Sequence, residues 1–180
     1  MPRLFVAIDL PEAIKQEIAT IPRAISKARW VPPDQLHLTL RFIGDTDDAL
    51  AAQLAERLAR IDAPTFSLAI KGIGHFPPRA MARVLWLGLE TSPPLAALQI
   101  KIERVCIEFG LPPGGQRFSP HVTIARLKNV GFSEVAEFES SSPSLSSATF
   151  NVCDFHLYAS YLTSSGAIHR RVASFALNPG

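Results

Sequence analysis

Hydrophobic and polar positions along this chain follow two periods, and the switches between them mark out its elements. Leu4 to Ile8 is an unbroken apolar run of strand length. Asp9-Leu10-Pro11-Glu12 reads as a helix start, with Asp9 the N-cap and Pro11 in the first turn; Ile14, Ile18 and Ile21 then recur at helical spacing, until Pro22 ends or kinks the helix. Leu36 to Ile43 reads as a strand closed by Gly44-Asp45. Asp45 or Thr46 caps a second helix carrying Leu50, Leu54, Leu58 and Ile61. Phe66 to Ile70 alternates as a strand, Gly72 to Arg79 reads as a loop, and Arg83 to Leu89 as a strand. Ser92 caps a third helix opening on Pro93-Pro94, with Leu95, Leu98, Ile102, Val105 and Phe109 on one stripe. A strand follows through Leu127, then a short helix near Ser133–Phe138. A long strand from Phe150 to Leu162, a turn at Ser164-Ser165-Gly166 and a last strand from Ala167 to Leu177 complete the chain. This element order predicts an α+β fold, and the short connections predict one unit over residues 1–180.

One pattern occurs twice. His37-Leu38-Thr39-Leu40 and His121-Val122-Thr123-Ile124 both read His, apolar, Thr, apolar. On a strand, alternate residues share a face. Each copy therefore sets an imidazole and a hydroxyl side by side, with two aliphatic side chains turned to the core. The order strand with His-x-Thr, helix, then two strands appears in both halves. That predicts an approximate duplication: two lobes whose sheets face each other across a cleft, one motif from each.

Composition narrows the function. The chain has 180 residues, 47% of them hydrophobic and 19% charged, enough to bury a core. A formal net charge of only +2 argues against a protein that coats nucleic acid broadly. Arginine outnumbers lysine by thirteen to five, which suits a local phosphate site. Cys106 and Cys153 read as reduced core cysteines, which fits a cytoplasmic protein, and the N-terminal apolar run is too short for a signal peptide. No stretch reaches membrane-spanning length. Cysteines and histidines show no metal-ligand spacing, and no Gly-rich phosphate loop follows a strand.

Two histidines on opposed strands can act as acid and base on either side of a reacting group, because imidazole titrates near neutral pH. Thr39 and Thr123 can donate to phosphoryl oxygens. Arg41, four residues after His37, falls on the same strand face. Arg126, five residues after His121, falls nominally on the other face and needs a bulge or the strand end to turn inward. Phe42, Trp30, Phe76 and Phe118 flank the motifs and offer stacking surfaces for a base. The residue pattern alone is also met by ordinary strands in which an inward histidine is satisfied by its threonine neighbour.

The flanks of the motifs resemble those of the 2H phosphoesterases, and more closely the RNA 2′,3′-cyclic phosphodiesterases long called 2′-5′ RNA ligases. The resemblance rests on Arg3 to Pro11, on Trp30-Val31-Pro32 leading into His37 to Gly44, on Phe76-Pro77 with Arg83 to Gly88, and on Phe118 to Arg126. It implies a bilobal fold of two pseudo-symmetric lobes, antiparallel-rich sheets facing a central cleft, and helices outside. It implies opening of a 2′,3′-cyclic phosphate to a 2′-phosphomonoester without metal or other cofactor, with His37 the proton donor and His121 the proton acceptor. Thr39, Thr123 and Arg126 would hold the phosphate, with Arg41, Phe42 and Phe118 as further binding candidates. The implied partners are RNA or nucleotides with 2′,3′-cyclic phosphate ends, tRNA halves among them; no membrane is implied, and the protein is expected to be a monomer in the cytoplasm. The chain departs from the family at Tyr161, where a charged residue is expected, and in its Ser-rich stretch 140–147.

The same site admits ATP-independent joining of RNA halves through a 2′-5′ bond, or binding of phosphorylated RNA ends without chemistry. His75 reads as an exposed loop histidine and His156 as a satisfied sheet residue. His169, next to Arg170-Arg171, reads either as a contact to a nucleic-acid backbone or as a solvated strand end.

Overall fold

The computed structural model describes residues 2–78, 81–115, 117–142, 146–164 and 166–179. Ten strands and four helices are named among them: β1 (Arg3–Asp9), α1 (Glu12–Ala19), β2 (Ala28–Trp30), β3 (His37–Asp45), α2 (Asp48–Leu58), β4 (Phe66–Leu68), β5 (Ile70–Phe76), β6 (Val84–Leu89), α3 (Pro93–Glu108), β7 (His121–Leu127), α4 (Phe132–Ser141), β8 (Phe150–Val152), β9 (Asp154–Thr163) and β10 (Gly166–Ala176). This is the α+β class expected from the sequence.

Eight strands form one antiparallel sheet in the order β10-β9-β1-β3-β7-β6-β5, with β2 added on β7; β4 and β8 form a separate pair. The two motif strands meet at a single registered pair, Leu38 with Val122. These residues lie 84 positions apart, as do Ser67 and Asn151 at the centre of the β4–β8 pair. Equivalent residues of the two halves thus pair with each other at two separate places. That is the signature of an internal two-fold relation, and it extends the duplication beyond the motifs.

The aliphatic face of each motif goes where its pattern points. Leu38, Leu40, Val122 and Ile124 join one core with Ile14 and Ile18 of α1, Leu54 and Leu58 of α2, Leu98 and Ile102 of α3, and Val135 and Phe138 of α4. Leu38 and Val122 are fully enclosed, and truncating such a leucine costs about 2–5 kcal/mol. The core thereby fixes the strands that present the polar face.

Several boundaries differ from the sequence reading. Asp9 ends β1 rather than capping α1, whose N-cap is Pro11. Asp47 caps α2, its carboxylate accepting from the Leu50 amide at 2.8 Å, because β3 runs on through Asp45. Ser92 caps α3 as expected. The glycine-containing segment from Gly72 to Phe76 is strand, not loop: Gly74 leaves room for the Trp86 ring of the paired strand, which lies where a Cβ would stand. The long strand after Phe150 breaks at Cys153, which is exposed rather than in the core, while Cys106 is buried. Of the Ser-rich stretch, residues 143–145 lie outside the described residues, as does Ser165 of the last turn. No helix among the described residues is long and apolar enough to cross a membrane.

Candidate active site

The register at the join assembles the polar face. Leu38 and Val122, the second residues of the two motifs, form the registered antiparallel pair between β3 and β7, which turns both aliphatic faces one way and both His/Thr faces the other. The two histidines therefore share one face of the sheet, one on each side of the join.

Both imidazoles are held in the same way. The Nδ1 of His37 bonds the carbonyl of Gln35 at 2.7 Å, and the Nδ1 of His121 bonds the carbonyl of Ser119 at 2.6 Å. A carbonyl only accepts, so in each neutral ring Nδ1 carries the hydrogen and Nε2 holds the lone pair. Both rings thus offer Nε2 for taking up or giving a proton.

A bulge in each motif strand decides which neighbours join them. Val6 pairs with Arg41 and Ala7 with Thr39, so Leu40 is an extra residue on β3. Leu85 pairs with Ala125 and Trp86 with Thr123, so Ile124 is the extra residue on β7. Both bulges occupy the fourth position of the motif, and each turns the sixth residue onto the histidine face. In β7 that residue is Arg126, and the bulge its inward turn needed is present. In β3 it is Phe42, exposed and 6.2 Å from the Phe5 ring.

Arg41 is correspondingly lost from the site. The bulge turns it to the opposite face, where Nε pairs with Glu103 at 2.8 Å and the guanidinium donates to the carbonyls of Phe42 and Pro112. Its expected place beside His37 assumed an unbroken alternation. Trp30 is also turned away: it pairs with Ala125, on the far side from Arg126, and packs against Phe138 at 5.8 Å. Phe118 packs against the edge of the core.

Aromatic rings wall each imidazole. Phe76 meets His121 edge-on at 5.0 Å, with Trp86 behind at 6.4 Å. Phe5 lies 4.9 Å from His37, and His169 meets His37 edge-on at 5.4 Å. His169 is therefore neither a solvated strand end nor remote. Sequence could not place it, since the β9–β10 and β1–β9 registers that bring it over Phe5 are long-range pairings.

The two histidines differ in their strand neighbours. Asp9 pairs with His37 where Gly88 pairs with His121. Asp9 accepts from the Tyr158 hydroxyl at 2.6 Å and from Arg171. Burial lowers the His37 pKa to about 4; the Gln35 carbonyl and Asp9 oppose the shift, while His169 and Arg126 add to it. Burial, together with the bonded Asp9, also pushes the Tyr158 hydroxyl up to about 12, which keeps it a donor.

The remaining histidines serve structure. His156 is buried, with Nδ1 2.9 Å from the Ser174 hydroxyl and Nε2 3.3 Å from Asp154, the satisfied sheet residue expected. His75 is on β5 rather than in an exposed loop, and its Nδ1 is 2.7 Å from Glu139 of α4. Among the described residues, no group of three or more His, Cys, Asp or Glu side chains could hold a metal ion.

Comparison with known proteins agrees with this geometry. The family model of the 2′-5′ RNA ligase superfamily matches residues 10–162. An RNA 2′,3′-cyclic phosphodiesterase of Thermotoga maritima is 32% identical, over 93% of this chain and 91% of the relative. Its namesake from Archaeoglobus fulgidus is 30% identical, over 96% and 99%. The crystal structure of E. coli LigT complexed with 3′-AMP superposes with a TM-score of 0.79 at 28% identity, covering 98% of this chain and 99% of that one. With its two His-x-Thr-x motifs paired across one sheet, this chain belongs to the 2′-5′ RNA ligase superfamily of 2H phosphoesterases.

Proposed function

We propose that this protein is an RNA 2′,3′-cyclic phosphodiesterase, and that residues 1–180 form a single bilobal unit with one wall of the site from each half. The observation that carries the reading is the pairing of the two motifs at Leu38–Val122, which puts both histidines on one face of the sheet, each anchored through Nδ1 to a backbone carbonyl. Full-length relatives named for this activity support it.

In the reaction, His121 Nε2 takes a proton from water as the water oxygen bonds to phosphorus. The pentacoordinate state spreads negative charge over its equatorial oxygens, where Thr39, Thr123 and Arg126 donate. The bond from phosphorus to the 3′ oxygen breaks, His37 Nε2 gives that oxygen its proton, and a 2′-phosphomonoester and a free 3′-hydroxyl result. Asp9 beside His37, with no counterpart beside His121, favours His37 as the protonated partner. The bound phosphate adds negative charge on the same side, offsetting the burial that holds His37 neutral in the empty site. Phe42 offers the terminal base a stacking surface.

The substrates are RNA or nucleotides with 2′,3′-cyclic phosphate ends, tRNA halves among them. One copy supplies both walls, which supports a monomer, and the free cysteines Cys106 and Cys153 fit a cytoplasmic protein. The superfamily's name favours a second use of the site, in which an RNA 5′-hydroxyl replaces water and a 2′-5′ bond forms. The test is a product assay on 2′,3′-cyclic AMP in the presence of EDTA, with 2′-AMP and 3′-AMP resolved by chromatography. The 2′ isomer is expected; the 3′ isomer, or loss of turnover on chelation, would contradict the mechanism.

A further inference from the structure

The imidazole of His169 stands in the site in a state complementary to the two motif histidines. It meets His37 at an interplanar angle of 89° and the Phe5 ring at 5.0 Å, also edge-on. Arg126 is near enough to bear on its charge, as is Asp34 from the turn before β3. It thus lies against the proton donor, with the arginine of the phosphate site within electrostatic reach.

Its two nitrogens are not equivalent. Nδ1 is enclosed and has no hydrogen-bond partner, whereas Nε2 is not enclosed in this way. A hydrogen on Nδ1 would be a buried donor with nothing to donate to, which is costly. The neutral ring therefore carries its hydrogen on Nε2. Burial and Arg126 disfavour the doubly protonated ring. His37 and His121 show the reverse arrangement, Nδ1–H anchored and the Nε2 lone pair free. Two imidazoles are set to exchange a proton, and the third is set only to donate a hydrogen bond.

We infer that His169 is a substrate-binding residue of this site, its Nε2–H donating to the phosphoryl group held between His37 and His121. The inference rests on the proposed phosphodiesterase reading and adds a donor from β10, a strand outside both motifs. It also supplies on the His37 wall what Arg126 supplies on the other, where the sixth motif position is the apolar Phe42.

Two variants separate donation from packing. His169→Phe keeps a ring against His37 and Phe5 but removes the donor. His169→Gln restores an N–H near the position of Nε2. A hydrogen bond to a charged group contributes roughly 1.5–3 kcal/mol, so the phenylalanine variant should lose about 10- to 100-fold in kcat/KM on 2′,3′-cyclic AMP. The glutamine variant should stay within several-fold of wild type. Inorganic phosphate, titrated calorimetrically, should bind the phenylalanine variant more weakly than wild type, while the thermal midpoint stays equal or rises. Wild-type activity and phosphate affinity in His169→Phe would overturn the inference, as would equal losses in both variants at unchanged stability. Absence of turnover by the wild type would instead refute the phosphodiesterase reading, and the phosphate titration would still decide the role of His169.

Discussion

Phe42 and Arg126 occupy the same step of the two motifs, five residues after the histidine and two after the extra residue of a bulge. The strand geometry is repeated, and the side chain presented is not. One wall of the site ends in an aromatic surface and the other in a guanidinium. A nucleotide with a base at one end and a phosphate at the other meets both requirements. The same bulges send Arg41 and Ala125 to the back of the sheet, so an arginine adjacent in sequence to Phe42 serves an ion pair with Glu103 instead.

This relationship separates two arginines by experiment. Arg126→Ala removes the donor proposed for the transition state and should lower kcat/KM on a 2′,3′-cyclic nucleotide by about 10²–10³-fold, with little change in thermal midpoint. Arg41→Ala breaks a largely buried ion pair and should cost about 1–3 kcal/mol in urea unfolding, with kcat/KM retained within a few-fold. The opposite assignment of losses would mean that the bulges do not set the faces as described.

Gly74 and Trp86 form a second separable pair. A Cβ on Gly74 would stand 2.5 Å from two atoms of the Trp86 ring, which backs the wall against His121. Gly74→Ala should destabilise the protein by about 1–3 kcal/mol and lower activity by moving that wall. The smaller ring in Trp86→Phe relieves the contact. A double-mutant cycle should therefore show the combined variant more stable than the sum of the single losses requires. Strict additivity would show that the ring and the glycine are not coupled.

The His37 environment has a signature in stability. Its folded pKa, about 4, lies below the ordinary value of 6.5. Between those values the unfolded chain binds the proton and the folded chain does not, so stability falls as pH drops from about 6.5 towards 4. His37→Gln cannot take that proton. Urea unfolding at pH 6.5 and pH 4.5 should show wild type losing more stability than the variant. Equal losses would place the His37 pKa near its ordinary value.

The paired motifs, the helices behind them and both histidines were legible because they depend on local periodicity. The bulges were not: Leu40 and Ile124 sit in alternating runs, and only pairing with β1 and β6 shows an extra residue. The need for one at Arg126 was visible from its spacing, whereas nothing in the sequence signalled that the same device would remove Arg41. His169 escaped for a different reason. Its position over Phe5 follows from three strands whose order no local pattern encodes. The segment through Gly74 reads as loop because its glycines resemble turn residues, although one is there for the partner ring.

The central claim is that one reaction is run by the two facing imidazoles. Its most direct test is turnover of 2′,3′-cyclic AMP in EDTA by wild type, His37→Ala and His121→Ala, with the fold of each checked by circular dichroism. Wild type should yield 2′-AMP, and each variant should lose roughly 10²–10⁴-fold in kcat while remaining folded. Turnover by a folded His37→Ala or His121→Ala at the wild-type rate would contradict the account.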